Sequence, residues 1–255
     1  MNSLRHAPQA VLLCHLPFHT YFFVYFFSHS CYTCPKGVMT VYTKHQWHCD
    51  PWHSFNYVVN LPKDYDETKT YPLVFFLHGA GERGDDLEVA CTHGYMRYVR
   101  EQGAEYPFLF VAPQCDGWNY WGCYTESLFH FIDYICDTYP VDRDRVILTG
   151  LSMGGTGTWM LAMADPDRFS CIVPVCGSGI VWNAKRLANL PIRMYHGDDD
   201  PIVPFEESVV MLRELTRAGA DVKLTICYGV GHNAWEQAYT DPDLIDWMLA
   251  QKRKG

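Results

Sequence analysis

The sequence predicts an α/β domain built on a mostly parallel sheet, and three observations carry that prediction. Short apolar runs recur from Phe55 onward, most of them apolar on both faces, as strands sandwiched between two layers of helix must be. Longer segments with apolar residues at helical spacing alternate with them. The composition allows a large core, since 48% of the 255 residues are hydrophobic and 19% are charged, and no repeat, linker or low-complexity tract divides the chain after Phe55.

Taken in order, Leu73 to Leu77, Phe108 to Ala112, Val146 to Thr149, Cys171 to Val175, Ile192 to Tyr195 and Val222 to Cys227 read as strands. Between them, Leu128, Phe131, Ile132, Ile135, Cys136 and Tyr139 recur at helical spacing. The segment "GTGTWMLAM" after Gly154, Phe205 to Ala218 and Asp243 to Gln251 read as further helices. Residues 39–255 are therefore assigned to a single domain.

Residues 1–38 differ from the rest. From Ala10 to Phe27 the chain is apolar and aromatic, but His15, Pro17, His19 and Thr20 interrupt it, only Arg5 and His6 precede it, and no small-residue cleavage site follows. This stretch is read as a non-essential extension. Cys31-x-x-Cys34 with His45, His48 and Cys49 offers zinc-ligating residue types, yet the His45-x-x-His48 spacing is tight and no second cluster supports it, so no metal is assigned.

The formal net charge of −9 excludes the basic face that a nucleic-acid partner requires, and no membrane partner is expected. Eleven cysteines lie scattered in apolar runs, with no even spacing, which points to a reducing, cytoplasmic compartment. Cys115 and Cys123, close together in a loop-like stretch, are the pair to consider if that compartment is wrong.

The chemistry sits at four strand ends, where loops of such a sheet open toward a common crevice. Gly150-Leu151-Ser152-Met153-Gly154 follows a strand and precedes a helix, the context that the G-x-S-x-G nucleophile elbow requires. A serine hydroxyl attacks only when a histidine takes its proton, and the histidine needs a carboxylate to fix its tautomer. The acid must follow the serine and the histidine must come last, which assigns Ser152, Asp200 from "HGDDDPIVP" and His232 from "GVGHNAW". His78-Gly79-Ala80-Gly81 supplies a glycine-flanked loop for an oxyanion, with backbone donors assigned to Ala80 and Met153.

Trp121 and Trp235 are candidate aromatic walls for an acyl or sugar group, with Gln114 and Asn119 as weaker candidates. His78 and His196, each followed by glycine, are read as hydrogen-bonding supports for their loops. Glu82 and Arg83 are read as pairing within theirs, and His93 and His130 as surface or core residues.

Together "YPLVFFLHGAGERGDD", "FLFVAPQC", "GLSMGGTGTWMLA", "HGDDDPIVP" and "GHNAWEQAY" resemble the small bacterial carboxylesterases of the α/β-hydrolase superfamily, the group with phospholipase/carboxylesterase and feruloyl-esterase-like proteins. The similarity runs from about Tyr57 to Lys252. It implies ester hydrolysis without metal or organic cofactor, and it selects Asp200 over Asp198 and Asp199, because the acid of that family precedes x-x-V-P. Only Cys176 to Pro191 separates two strands where a cap domain is commonly inserted, so no large cap is expected. The expected activity is a serine carboxylesterase for short-chain or aromatic acyl esters, on small molecules or oligosaccharides. The alternatives are a prolyl-oligopeptidase-like serine peptidase, which has no room here for a propeller, and a non-catalytic binding protein of the same fold, which would normally lack a triad member.

Overall fold

The computed structural model describes residues 32–33, 39–40, 42–49 and 54–253. Ten strands are present among them: β1 (Tyr32–Thr33), β2 (Met39–Thr40), β3 (Tyr42–His48), β4 (Ser54–Asn60), β5 (Tyr71–Leu77), β6 (Leu109–Gln114), β7 (Val141–Leu151), β8 (Cys171–Val175), β9 (Ile192–Gly197) and β10 (Val222–Cys227). The helices are α1 (Leu87–Ala90), α2 (Gly94–Gln102), α3 (Thr125–Thr138), α4 (Met153–Ala164), α5 (Glu206–Arg217), α6 (Trp235–Ala238) and α7 (Pro242–Ala250).

Eight strands form one sheet in the order β10-β9-β8-β7-β5-β6-β4-β3. From β10 through β6 all neighbours are parallel, while β4 and β3 add an antiparallel edge. Every predicted strand is present, and β7 is longer than its apolar run, because Val141 pairs with Tyr71 before a register shift in the ladder. Four strands, β1 to β4, and three helices, α1, α2 and α6, had no prediction. β3 and β4 mix polar and aromatic residues, and α1 and α2 show their apolar faces only once packed.

The sheet is apolar on both faces because each side receives helices. Leu73, Phe75 and Leu77 of β5 pack with Phe131 of α3, Trp159 of α4 and Met211 of α5. Val74 and Phe76, pointing the opposite way by the two-residue period of a strand, pack with Tyr95 and Met96 of α2 and with Leu244 and Met248 of α7. Each fully buried side chain of this size contributes roughly 1.5–3 kcal/mol. Between β8 and β9 only a 3-10 turn, Val181–Leu187, is inserted, so no large cap covers the carboxyl ends of the strands.

No helix among the described residues is long and apolar enough to cross a membrane. Seven of the described cysteines, Cys115 and Cys123 included, are free thiols. Cys31 and Cys34 of the candidate zinc set, and most of the N-terminal extension, lie outside the described residues.

All eight strands of the main sheet begin at or after Tyr42. We therefore propose residues 39–255 as the folding unit. A chain starting at Met39 is expected to match the full chain in its unfolding transition and ester turnover, and an insoluble or inactive product would assign the extension to the domain.

Candidate active site

Ser152 stands between the last residue of β7 and the first of α4, with φ +54° and ψ −119°. A non-glycine residue adopts this left-handed conformation only under constraint. The constraint is a close approach of main chains. A Cβ on Gly154 would fall on the carbonyls of Leu77 and His78, and one on Gly150 would fall on the main chain of Gly154 and the carbonyl of Leu77. The small residues around the serine are thus set by the distance between β7, α4 and the end of β5. The Ser152 N–H donates to Val175 O at 2.9 Å, tying the turn to β8.

Ser152 Oγ lies 2.8 Å from His232 Nε2, and His232 Nδ1 lies 2.7 Å from Asp200 Oδ2. Asp200 Oδ1 accepts the N–H groups of Ile202 at 2.9 Å and Val203 at 3.0 Å. Burial raises the pKa of this carboxyl, but the hydrogen bonds from His232, Ile202 and Val203 outweigh it and hold the group below its ordinary value. Asp198 and Asp199 are exposed, and Asp198 is spent on the N–H of Gly229 at 2.7 Å. The structure therefore brings Ser152, His232 and Asp200 together and leaves the other two aspartates aside.

His196 is fully buried beneath the Asp200 loop. Its Nε2 lies 2.9 Å from Val203 O and 3.2 Å from Asp200 Oδ2, and its Nδ1 lies 2.7 Å from Ser208 Oγ. Donation from Nε2 and acceptance at Nδ1 satisfy the ring. The donor atoms of Cys176, Asp200 and His232 lie within 4.8 Å of one another, the one such metal-capable group among the described residues. Asp200 and His232 are bonded to each other there, and burial drives the Cys176 thiol well above its ordinary pKa.

Ala80 opens a 3-10 turn, Ala80–Glu82, and Met153 opens α4, so neither N–H has an acceptor inside its own helix. The loop before Ala80 is supported from below. Buried His78 accepts the Cys115 N–H on Nε2 at 3.0 Å, which leaves Nδ1 to donate to Gly79 O at 2.7 Å. Burial lowers the pKa of His78 to about 4. Arg83 donates to Ala80 O at 3.0 Å and Asn119 O at 3.2 Å, an exposed clasp around the same loop.

Two candidate substrate contacts need correction. Trp121 is 1% exposed and donates from Nε1 to His78 O at 2.9 Å, so it packs under the loop of residues 78–81 rather than facing solvent. Gln114 is also buried, and its Nε2 donates to Glu82 O at 3.0 Å and Asp86 O at 2.8 Å. Gln114 ends β6 and Trp121 opens the 3-10 turn Trp121–Tyr124 before α3, and at both positions burial decides the role. Trp235 is half-buried and meets the ring of His232 edge-on at 5.4 Å. Asn119 binds Asp116 at 2.9 Å and orders its own loop.

The aromatic side chains that do face solvent were not singled out by sequence reasoning. Trp118 is 94% exposed and Trp182 is 81% exposed, and Tyr120, Ile202 and Tyr228 are exposed as well. These five follow β6, β8, β9 and β10, at the same ends of the sheet as Ser152. The signal available was their place in loops after strands, which Trp121 shares.

The strand order, the sharp turn after β7 and the histidine after the last strand define an α/β-hydrolase fold. The Phospholipase/Carboxylesterase family profile matches residues 124–241. A "Probable feruloyl esterase C" of Aspergillus terreus is 30% identical over 63% of this chain and 60% of its own length. Feruloyl esterase C of Emericella nidulans is 31% identical over 61% of this chain and 58% of its own. A crystal structure of a thermostable esterase superposes with a TM-score of 0.75 at 32% identity, over 83% of this chain and 63% of that one. The chain spans about six-tenths of the length of these curated relatives. Over these residues the chain is similar to carboxylesterases of the α/β-hydrolase superfamily.

His78 gives the site a pH-dependent stability. Its folded pKa lies below the ordinary histidine value near 6.5, so between that value and about 4 the unfolded chain binds the extra proton and stability falls as pH falls. The expected loss across this window is about 3 kcal/mol. Urea unfolding at pH 7 and pH 4.5 measures it, and His78→Gln should flatten the dependence; an unchanged slope would remove His78 as its source.

Proposed function

We propose that the chain is a serine carboxylesterase that hydrolyses short-chain or aromatic acyl esters, including esters carried on oligosaccharides. The observation that carries this reading is the unbroken hydrogen-bonded line from Ser152 through His232 to Asp200. Ser152 Oγ attacks the ester carbonyl carbon as His232 Nε2 takes its proton. Asp200 receives the Nδ1–H and stabilises the imidazolium. The carbonyl electron pair moves onto oxygen, facing the N–H groups of Ala80 and Met153. Collapse of this intermediate expels the alcohol oxygen, which takes the proton from His232 and leaves the acyl group on Ser152. A water molecule, deprotonated by the same histidine, then releases the acid.

The open face supports substrates carried on something bulky and polar. Trp118, Trp182 and Tyr228 offer ring faces to solvent, the geometry on which sugars and aromatic acids stack. The feruloyl esterases among the relatives favour the aromatic acyl class. The acidic net charge argues against nucleic acid, and the free cysteines favour a reducing, cytoplasmic setting.

An active-site-directed fluorophosphonate is expected to label Ser152, and Ser152→Ala should lose both labelling and at least about a thousandfold of turnover with the fold intact. Asp200→Asn should cost far more activity than Asp199→Asn, and the reverse ranking would move the acid along the loop.

For substrate class, kcat/KM is expected to be higher on feruloylated or acetylated oligosaccharides than on long-chain fatty acyl esters. Trp118→Ala and Trp182→Ala should raise KM for the oligosaccharide esters by about tenfold and leave small aryl acetates within about twofold. A preference rising steadily with acyl length, with a jump above the micellar concentration, would sink the assignment.

A further inference from the structure

Glu82 is a buried acid for which the mechanism above has no use. Its side chain is 8% exposed, it closes the 3-10 turn that begins at Ala80, and its own N–H bonds to Gly79 O at 3.4 Å. Oε1 lies 3.3 Å from His93 Nε2. Oε2 has no hydrogen-bond partner, and it lies 3.9 Å from His78 Nδ1, whose single proton is already given to Gly79 O. A Cβ on Gly79 would stand 2.9 Å from Oε2 and 3.6 Å from the Cβ of Ser152. The carboxylate therefore lies against Gly79 on the side that faces the nucleophile. Burial raises its pKa, opposed by His93 and by the N–H groups of Gly79 and Glu82 that it faces.

The contacts continue across the site. The ring of His93 packs on Trp235 at 5.1 Å, and Trp235 meets His232 at 5.4 Å. His93 Nδ1 and Trp235 Nε1 are buried without partners, so the line from Glu82 to His232 is polar at each member yet only partly hydrogen-bonded. A buried carboxylate with an unfilled acceptor is costly, and a fold keeps one where it holds something in place.

We propose that Glu82, held by His93, is a positioning residue for the oxyanion loop: its carboxylate braces the main chain of Gly79 so that the Ala80 N–H points at the developing oxyanion. It does so by filling the space beside Gly79 with Oε2 while His93 holds Oε1, and His93 and Trp235 set that loop relative to the His232 loop. The inference rests on the esterase reading. It names a group that touches neither substrate nor reacting atoms and acts through Gly79 and Ala80.

The experiment compares Glu82→Ala, Glu82→Gln and His93→Ala in the full chain. Loss of one oxyanion donor costs about 10²–10³ in kcat, and displacement of one should cost about 10–100-fold. Glu82→Ala is accordingly expected to lower kcat of aryl ester hydrolysis by that factor with KM within about threefold, and to weaken a trifluoromethyl ketone, whose adduct carries the oxyanion, in parallel. Glu82→Gln keeps an acceptor and should stay within about fivefold of wild type, while His93→Ala should follow Glu82→Ala by a smaller factor. Amide hydrogen exchange of residues 79–81 should be faster in Glu82→Ala and unchanged in Glu82→Gln. Wild-type-like kcat in Glu82→Ala, a change confined to KM, a Glu82→Gln loss equal to that of alanine, or unaltered exchange would each overturn the proposal. If the wild-type chain turned over no ester, the esterase reading would fail, and the exchange measurement would still decide whether Glu82 braces the loop.

Discussion

The site depends on how closely the main chain at the end of β7 and the start of α4 approaches the end of β5. Gly150 and Gly154 leave no room for a Cβ against the Leu77 carbonyl, and the approach brings the His78 carbonyl to Gly154 as well. One contact thereby sets two things. It forces Ser152 into its positive φ, at a cost of about 1–3 kcal/mol, and it brings Met153 beside the loop that carries Ala80. The two proposed oxyanion donors, the N–H groups of Ala80 and Met153, belong to different elements that meet at this contact. The cost is offset by the surrounding structure, since β7 lies between β5 and β8 with Phe75, Phe76, Leu148 and Val173 fully buried.

Loops that carry chemistry must be held without being buried, and this fold does so twice in the same way. His78 at the end of β5 and His196 at the end of β9 are both buried, and each is followed by glycine. Each ring has both nitrogens in hydrogen bonds, so it acts as a rigid stitch between its loop and a neighbouring element. His78 ties the loop that carries Ala80 to Cys115 after β6, and His196 ties the Asp200 loop to Ser208 in α5. An unsatisfied buried nitrogen would cost about 1–3 kcal/mol, so the stitch works only because both partners are present. Glycine at position 197 serves a related end, because a Cβ there would strike the carbonyls of Val230 and Gly231 just before His232.

The sequence was most legible where one local constraint decides the outcome. The six parallel strands declared themselves because burial on both faces demands continuous apolar runs, and the elbow did so because strand, glycine, serine and glycine in that order leave little else to form. What was not legible depends on distant packing. α2 carries Tyr95, Met96 and Val99 on a face that becomes apolar only against Phe76 and Phe110. Trp121 and Trp118 sit three residues apart after β6, and the sequence marks only Trp121 as a candidate, yet Trp121 is buried under His78 and Trp118 is bare. No property of the side chain separates them. The difference is which of the two meets α4, where Gly157 makes space against the Trp121 side chain.

That exchange of roles bears on how the face is organised. Large apolar side chains at 56–94% exposure forgo burial, and scattered singly they need no explanation. Here Trp118, Tyr120, Trp182, Ile202 and Tyr228 occupy loops after four strands at the end of the sheet that holds Ser152. Concentration at that end is the informative fact, because an apolar rim around polar machinery is the surface expected of a binding site. The short Val181–Leu187 turn leaves this rim uncovered and itself contributes Trp182. The region where other members of such folds insert a cap here supplies one exposed ring, so the described residues leave this edge of the sheet open and lined by large apolar side chains.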